Sequence, residues 1–137
     1  KIKVFLGDAG SLFLGFVVSW ALIYSAENVI NFSASFALWC VAIPLFDFFA
    51  VIIIRVLDKR SLIIANKDHF HHYLMNAGIS KYLILILTVI FGLTFLLIGI
   101  VLEKNLPEFS FLVFFISFLF YLLLRIYIFL MEKPKEC

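Results

Sequence analysis

Apolar residues fall into four long runs, at 11–26, 36–57, 82–102 and 109–130. A helix needs about 20 apolar residues to cross the hydrocarbon core of a bilayer. The last three runs meet that length. The first is short and spans only if it stands nearly upright or borrows from its flanks. None alternates with period two, as a strand of a membrane barrel would; 83–88 and 111–120 are apolar almost throughout. The pattern predicts an all-α polytopic membrane protein with about four transmembrane helices in a single membrane domain, 1–137. The longest connection is 58–81. Polar residues interrupt two of the runs: Pro44 and Asp47 in the second, Arg125 near the end of the fourth.

Composition supports lipid as the solvent. Charged residues make up 15% of the chain and hydrophobic residues 65%, where a soluble domain is about 25% charged. The mean hydropathy is +1.16. A formal net charge of +2 is too small to point to nucleic acid as a partner. Cys40 and Cys137 have neither metal-ligand nor redox spacing. The opening from Lys1 is not the layout of a signal peptide, and a chain that begins within a larger protein is expected.

The distribution of charge says more than its sum. With the N-terminus in the cytoplasm, Lys1, Lys3, Arg55, Lys59, Arg60, Lys67, Lys81, Lys133 and Lys135 fall on that side, and Lys104 falls outside. Arg125 lies about one turn inside the cytoplasmic face and is expected to snorkel to it. The outer connections are 27–35 and 103–108. Tyr24, Trp39 and Tyr82 are candidates for the interfacial aromatic belts. The cytoplasmic connection 58–81 then carries all three histidines of the chain.

Three polar constellations could carry chemistry. Gly7-Asp8-Ala9-Gly10-Ser11 stands at the cytoplasmic mouth of the first helix. Its glycines permit a tight turn and close approach of a ligand. Ser11 is expected to cap the helix that follows. A carboxylate beside a helix N-terminus can hold Mg²⁺ bridged to phosphate; a turn with a capping serine fits the same residues. Asn66-Lys67-Asp68-His69-Phe70-His71-His72 lies in the long connection, with 70–77 expected as a short helix stopped at Gly78. Imidazoles and a lysine can meet a diphosphate. The same cluster fits a transition-metal site or a solvated connection. Asp47, in Pro44-Leu45-Phe46-Asp47, sits about 15 Å from the cytoplasmic face at helical rise. An ionisable group at that depth faces a partner or a cavity, and structural support is expected of it more than chemistry.

In order and separation, these motifs resemble the C-terminal part of the polyprenyl-phosphate N-acetylhexosamine-1-phosphate transferases, nearest to the bacterial undecaprenyl-phosphate N-acetylglucosamine branch. The resemblance runs through Val4-Phe5-Leu6-Gly7-Asp8-Ala9-Gly10-Ser11, Ala37-Leu38-Trp39, Ile43-Pro44-Leu45-Phe46-Asp47, His69-Phe70-His71-His72, Leu74-Met75 and Ala77-Gly78. It implies attack of a polyprenyl phosphate on the β-phosphorus of a UDP-N-acetylhexosamine, with Mg²⁺, at the inner face of the plasma membrane, in cell-envelope polysaccharide synthesis. By the same resemblance Asp8 is the magnesium-associated carboxylate, in a turn where Gly7, Gly10 and Ser11 approach substrate. His69, His71 and His72 hold the sugar-nucleotide diphosphate, and Lys67 stands where the family has Arg or Lys. Asn66 departs from an aspartate in a relative and removes a charge there. The family's aspartate-rich motifs lie upstream of the matching region, so turnover by this segment alone is not expected. A non-catalytic membrane subunit or remnant is the alternative, ahead of a metal transporter.

Overall fold

A computed structural model of the chain describes residues 7–30, 32–59, 61, 70–76 and 78–132. Six helices follow one another: α1 (Gly7–Asn28), α2 (Ala34–Cys40), α3 (Ala42–Leu57), α4 (Phe70–Asn76), α5 (Lys81–Asn105) and α6 (Pro107–Glu132). No strand occurs among the described residues, and the fold is an all-α membrane fold. Three helices, α1, α5 and α6, are long and apolar enough to cross a bilayer, and the α2–α3 pair qualifies as a fourth span when counted as one. At 1.5 Å per residue, α1 is about 33 Å long, enough to span the core, and it reaches that length by taking in the flanks 7–10 and 27–28.

The helices run past the apolar runs because their ends are set by caps. The Ser80 hydroxyl accepts from Leu83 N–H at 3.3 Å and starts α5. Pro107 occupies the first position of α6, where a missing N–H costs nothing. The connection expected over 103–108 therefore contracts to Leu106 alone. Ser33 caps α2 by accepting from Phe36 N–H at 3.0 Å.

The second apolar run is not one helix. It breaks at Val41 (φ −118°, ψ 20°), and α2 and α3 meet at a bend of 80°. Pro44 is the physical cause. It has no N–H to offer the carbonyl four residues back, which would lie in α2, yet it is tolerated in the first turn of a new helix. Leu45 N–H then bonds the Val41 carbonyl at 3.1 Å and α3 proceeds.

The core lies where α2 and α3 meet α5 and α6. Trp39, Ala42, Phe46 and Phe114 are buried there, with Phe95, Phe118 and Tyr121 packed around them. Trp39 thus leaves the interfacial belt expected of it. Its indole donates to the Ser110 hydroxyl at 3.1 Å, inside the bundle. That bond satisfies an N–H which lipid could not. Phe46 meets Phe114, Phe118 and Phe95 at centroid distances of 4.9, 5.4 and 5.5 Å. Lipid tails are as apolar as these rings, so shape complementarity and not exclusion of water holds the helices together. By contrast α1 buries no residue of its own and packs on α2.

Gly99 of α5 lies directly against Trp39 of α2. A Cβ there would stand 2.6 Å from both Cβ and Cγ of Trp39, atoms that cannot move without moving α2. Gly99→Ala is expected to cost about 1–3 kcal/mol by overpacking. Thermal unfolding of the detergent-solubilised protein checks this, with Gly92→Ala as control because a Cβ at Gly92 meets nothing within 4 Å. Equal melting temperatures for the two variants would remove Gly99 from the packing argument.

Candidate functional site

The histidine-bearing helix α4 is fixed at both ends. Gly78, at φ +84°, reverses the chain after it. Gly78 N–H bonds the Met75 carbonyl at 3.0 Å and Ile79 N–H the Leu74 carbonyl at 3.1 Å, which satisfies carbonyls that the helix leaves open. Ser80 starts α5 directly afterwards. At the other end the first residue, Phe70, donates its N–H to Asp47 Oδ1 of α3 at 3.1 Å. A carboxylate from a different helix thus caps α4 and complements its dipole.

Asp47 Oδ1 is a meeting point. The Tyr121 hydroxyl of α6 also donates to it, at 3.1 Å. Arg125 Nε, one turn further along α6, stands 3.9 Å away, an ion-pair distance and longer than a hydrogen bond. Arg125 does not snorkel to a membrane face. It is fully buried, with its guanidinium 4.5 Å from the centre of the Tyr73 ring and 5.3 Å from that of Phe70. Within an apolar bundle, turning inward to an anion and two aromatic faces serves the cation better than reaching for distant water. No local motif marks Tyr121, Arg125 or Tyr73 as members of this group. One signal was available: Asp47 and Arg125 are opposite charges inside two apolar runs, and such groups in lipid pair with one another.

Asp8 lies in the first turn of α1 and is exposed. Gly7 enters the helix at φ +66°, a conformation that favours glycine. The turn expected at 7–11 is therefore helical, and Ser11 is not the cap. Its hydroxyl back-bonds to the carbonyls of Gly7 and Asp8, each at 3.0 Å. The glycine itself brings the chain into the helix, so a side-chain cap at Ser11 comes too late. Gly10 sits half-buried in the same turn.

His71 is exposed on α4. His72 belongs to the same helix. Lys67, His69 and Asn66, and the end of the expected helix at Ala77, lie outside the described residues. The structure thus places Asp8 at the start of α1 and position 71 on the anchored helix between α3 and α5. Among the described residues, no group of three His, Cys, Asp or Glu converges as a metal site.

Known proteins share this sequence along most of its length. The undecaprenyl-phosphate alpha-N-acetylglucosaminyl 1-phosphate transferase of Escherichia coli O157:H7 is 34% identical over 125 residues, 88% of this chain and 34% of that relative. Over most of its length the chain is homologous to a segment of this transferase family. The probable undecaprenyl-phosphate N-acetylglucosaminyl 1-phosphate transferase of Bacillus subtilis (strain 168) is 34% identical over 119 residues, 86% of this chain and 33% of its own length. The Haemophilus influenzae transferase is 39% identical over 82 residues, 59% of this chain and 23% of its own length. The chain spans about a third of the length of the first two transferases. No protein-family model matches it, and no solved structure does so significantly.

The contacts of Asp47 predict unequal costs for two substitutions. Asp47→Leu removes the carboxylate that faces buried Arg125 and that accepts from the Phe70 N–H and the Tyr121 hydroxyl. It is expected to cost ~3–5 kcal/mol and to lower folded yield sharply. Asp47→Asn also removes the charge beside Arg125 but keeps a carbonyl acceptor for the Phe70 N–H and the Tyr121 hydroxyl, and is expected to retain clearly more folded protein than Asp47→Leu. Size-exclusion profiles of the detergent-solubilised variants compare them; matching yields would show that the Asp47 contacts carry little of the stability.

Proposed function

We propose that the protein carrying this chain transfers N-acetylhexosamine-1-phosphate from a UDP-N-acetylhexosamine to undecaprenyl phosphate. A phosphate oxygen of the lipid bonds to the β-phosphorus of the sugar nucleotide, the diphosphate bridge breaks, and UMP leaves. The product is an undecaprenyl diphosphate sugar for cell-envelope polysaccharide. The observation that carries this reading is 34% identity, over 88% of the chain, to a transferase whose name states both the lipid acceptor and the sugar phosphate.

The residues suit phosphoryl transfer, where positioning and charge neutralisation do most of the work. Asp8 offers an exposed carboxylate, with no side-chain hydrogen bond among the described residues, at a helix start. That fits Mg²⁺, which is commonly held by one or two carboxylates together with substrate phosphates and water. Bound there, Mg²⁺ would neutralise charge on the diphosphate. In this reading Gly7, Gly10 and Ser11 line the approach to Asp8. Lys67, His69, His71 and His72 supply N–H donors to the diphosphate from the segment that ends in α4. The lipid acceptor is confined to the bilayer and the sugar nucleotide to water, so the reaction centre belongs at the membrane surface.

That surface is the cytoplasmic face of the plasma membrane, on the grounds of the lysine and arginine bias. With the bent pair as one crossing, the start of α1 and the α3–α5 connection share that face. In a background with Cys40 and Cys137 replaced by serine, an impermeant thiol reagent on intact cells should label Leu106→Cys and spare Ser61→Cys. Labelling in the reverse order would turn the protein over in the membrane.

In the full-length protein, Asp8→Asn is expected to remove most transfer, because a neutral amide cannot balance Mg²⁺ charge. His71→Ala or His72→Ala is expected to raise the KM for UDP-sugar or lower the rate while the lipid site is untouched. Radiolabelled sugar-phosphate transfer in membranes, titrating Mg²⁺ and UDP-sugar separately, measures both. Near wild-type activity of Asp8→Asn at every Mg²⁺ concentration would defeat the role given to Asp8.

A further inference from the structure

The contacts around Asp47 reach beyond support of the bundle. Three of them bear on α4. Asp47 Oδ1 receives the N–H of Phe70, the first residue of that helix. The Arg125 guanidinium lies against the rings of Phe70 and Tyr73, and Tyr121 packs its ring against Phe70 at 6.1 Å while donating to the same carboxylate oxygen. At about 100° per residue, positions 70 and 73 share one face of a helix, and positions 71 and 72 lie roughly 130° to either side of it. A seven-residue helix is too short to hold its own conformation in water. Its rotation about its axis must come from outside.

The geometry points to Asp47, Tyr121 and Arg125 as positioning residues for sugar-nucleotide binding. They cap α4 from another helix and clamp its 70/73 face against the bundle, so that the histidine positions are turned away from it. This inference rests on the transferase reading and deepens it. None of the three touches the diphosphate; they act through the azimuth of α4. A purely structural role predicts that their loss lowers the amount of folded enzyme. A positioning role predicts enzyme that is folded but binds the sugar nucleotide poorly.

The test uses the full-length protein carrying Tyr121→Phe, Arg125→Met or Arg125→Lys, each first shown to elute as a monodisperse species. Amide hydrogen exchange over 70–76 is followed by mass spectrometry, with α5 and α6 as internal controls. Initial rates are measured with UDP-N-acetylglucosamine and undecaprenyl phosphate varied separately. Tyr121→Phe, which removes one hydroxyl and keeps the ring, is expected to speed exchange in α4 and to raise the KM for the sugar nucleotide, both by roughly 5–10-fold, the scale of one hydrogen bond. Exchange in α5 and α6 and the KM for undecaprenyl phosphate stay put. Arg125→Met should do more, and Arg125→Lys, which keeps the cation beside the rings, should restore part of the loss. Unchanged exchange in α4, or equal changes in KM for both substrates, overturns the proposal. If the unmodified protein transfers no sugar phosphate, the transferase reading fails on its own, and the exchange measurements still decide whether the clamp exists.

Discussion

A carboxylate inside an apolar bundle has few ways to be stable, and Asp47 uses most of them. It faces a buried guanidinium and accepts a hydroxyl and a backbone N–H on one oxygen. These three partners come from α4 and α6, so one side chain ties α3 to both. The same requirement acts in reverse on Arg125, which stays buried because the anion and two rings are there to receive it. Removing one member weakens the setting of the others, which couples the group.

The bend at Val41 explains how that group can exist. A straight helix over 36–57 would carry residues 39 and 47 along one axis. The 80° turn lets α2 lie closely on α5 through Trp39 and Gly99, while α3 directs Phe46 and Asp47 toward α6. Pro44 makes the break, and the aromatic cluster around Phe46 fills the angle. The joint is therefore packed on its inner side.

Much of this was legible from periodicity. Long apolar runs announce helices in lipid, and the short helix before Gly78 followed from a glycine stop. Helix ends depart from the apolar runs where caps, not hydropathy, decide them, as at Ser80, Leu106 and Pro107. Ser11 does not cap α1 because Gly7 performs the entry into that helix. Trp39 and Arg125 were assigned to the membrane surface from average habits of their side chains. Their partners, Ser110 and Asp47, lie 71 and 78 positions away, and no local pattern carries such a pairing. The motifs themselves are local, and so the family was readable although the neighbours of the motif residues were not.

The single-residue connection at Leu106 has a consequence for biogenesis. Two helices joined so tightly have no separate routes into the bilayer, because neither can be threaded while the other stays outside. They must partition together as a helical hairpin. The charges near its tip are Glu103, Lys104 and Glu108, and the apolar length behind them on both arms supplies the driving force for insertion of the hairpin. Inserting residues at this tip would loosen that coupling and give the insertion machinery two segments to orient in place of one.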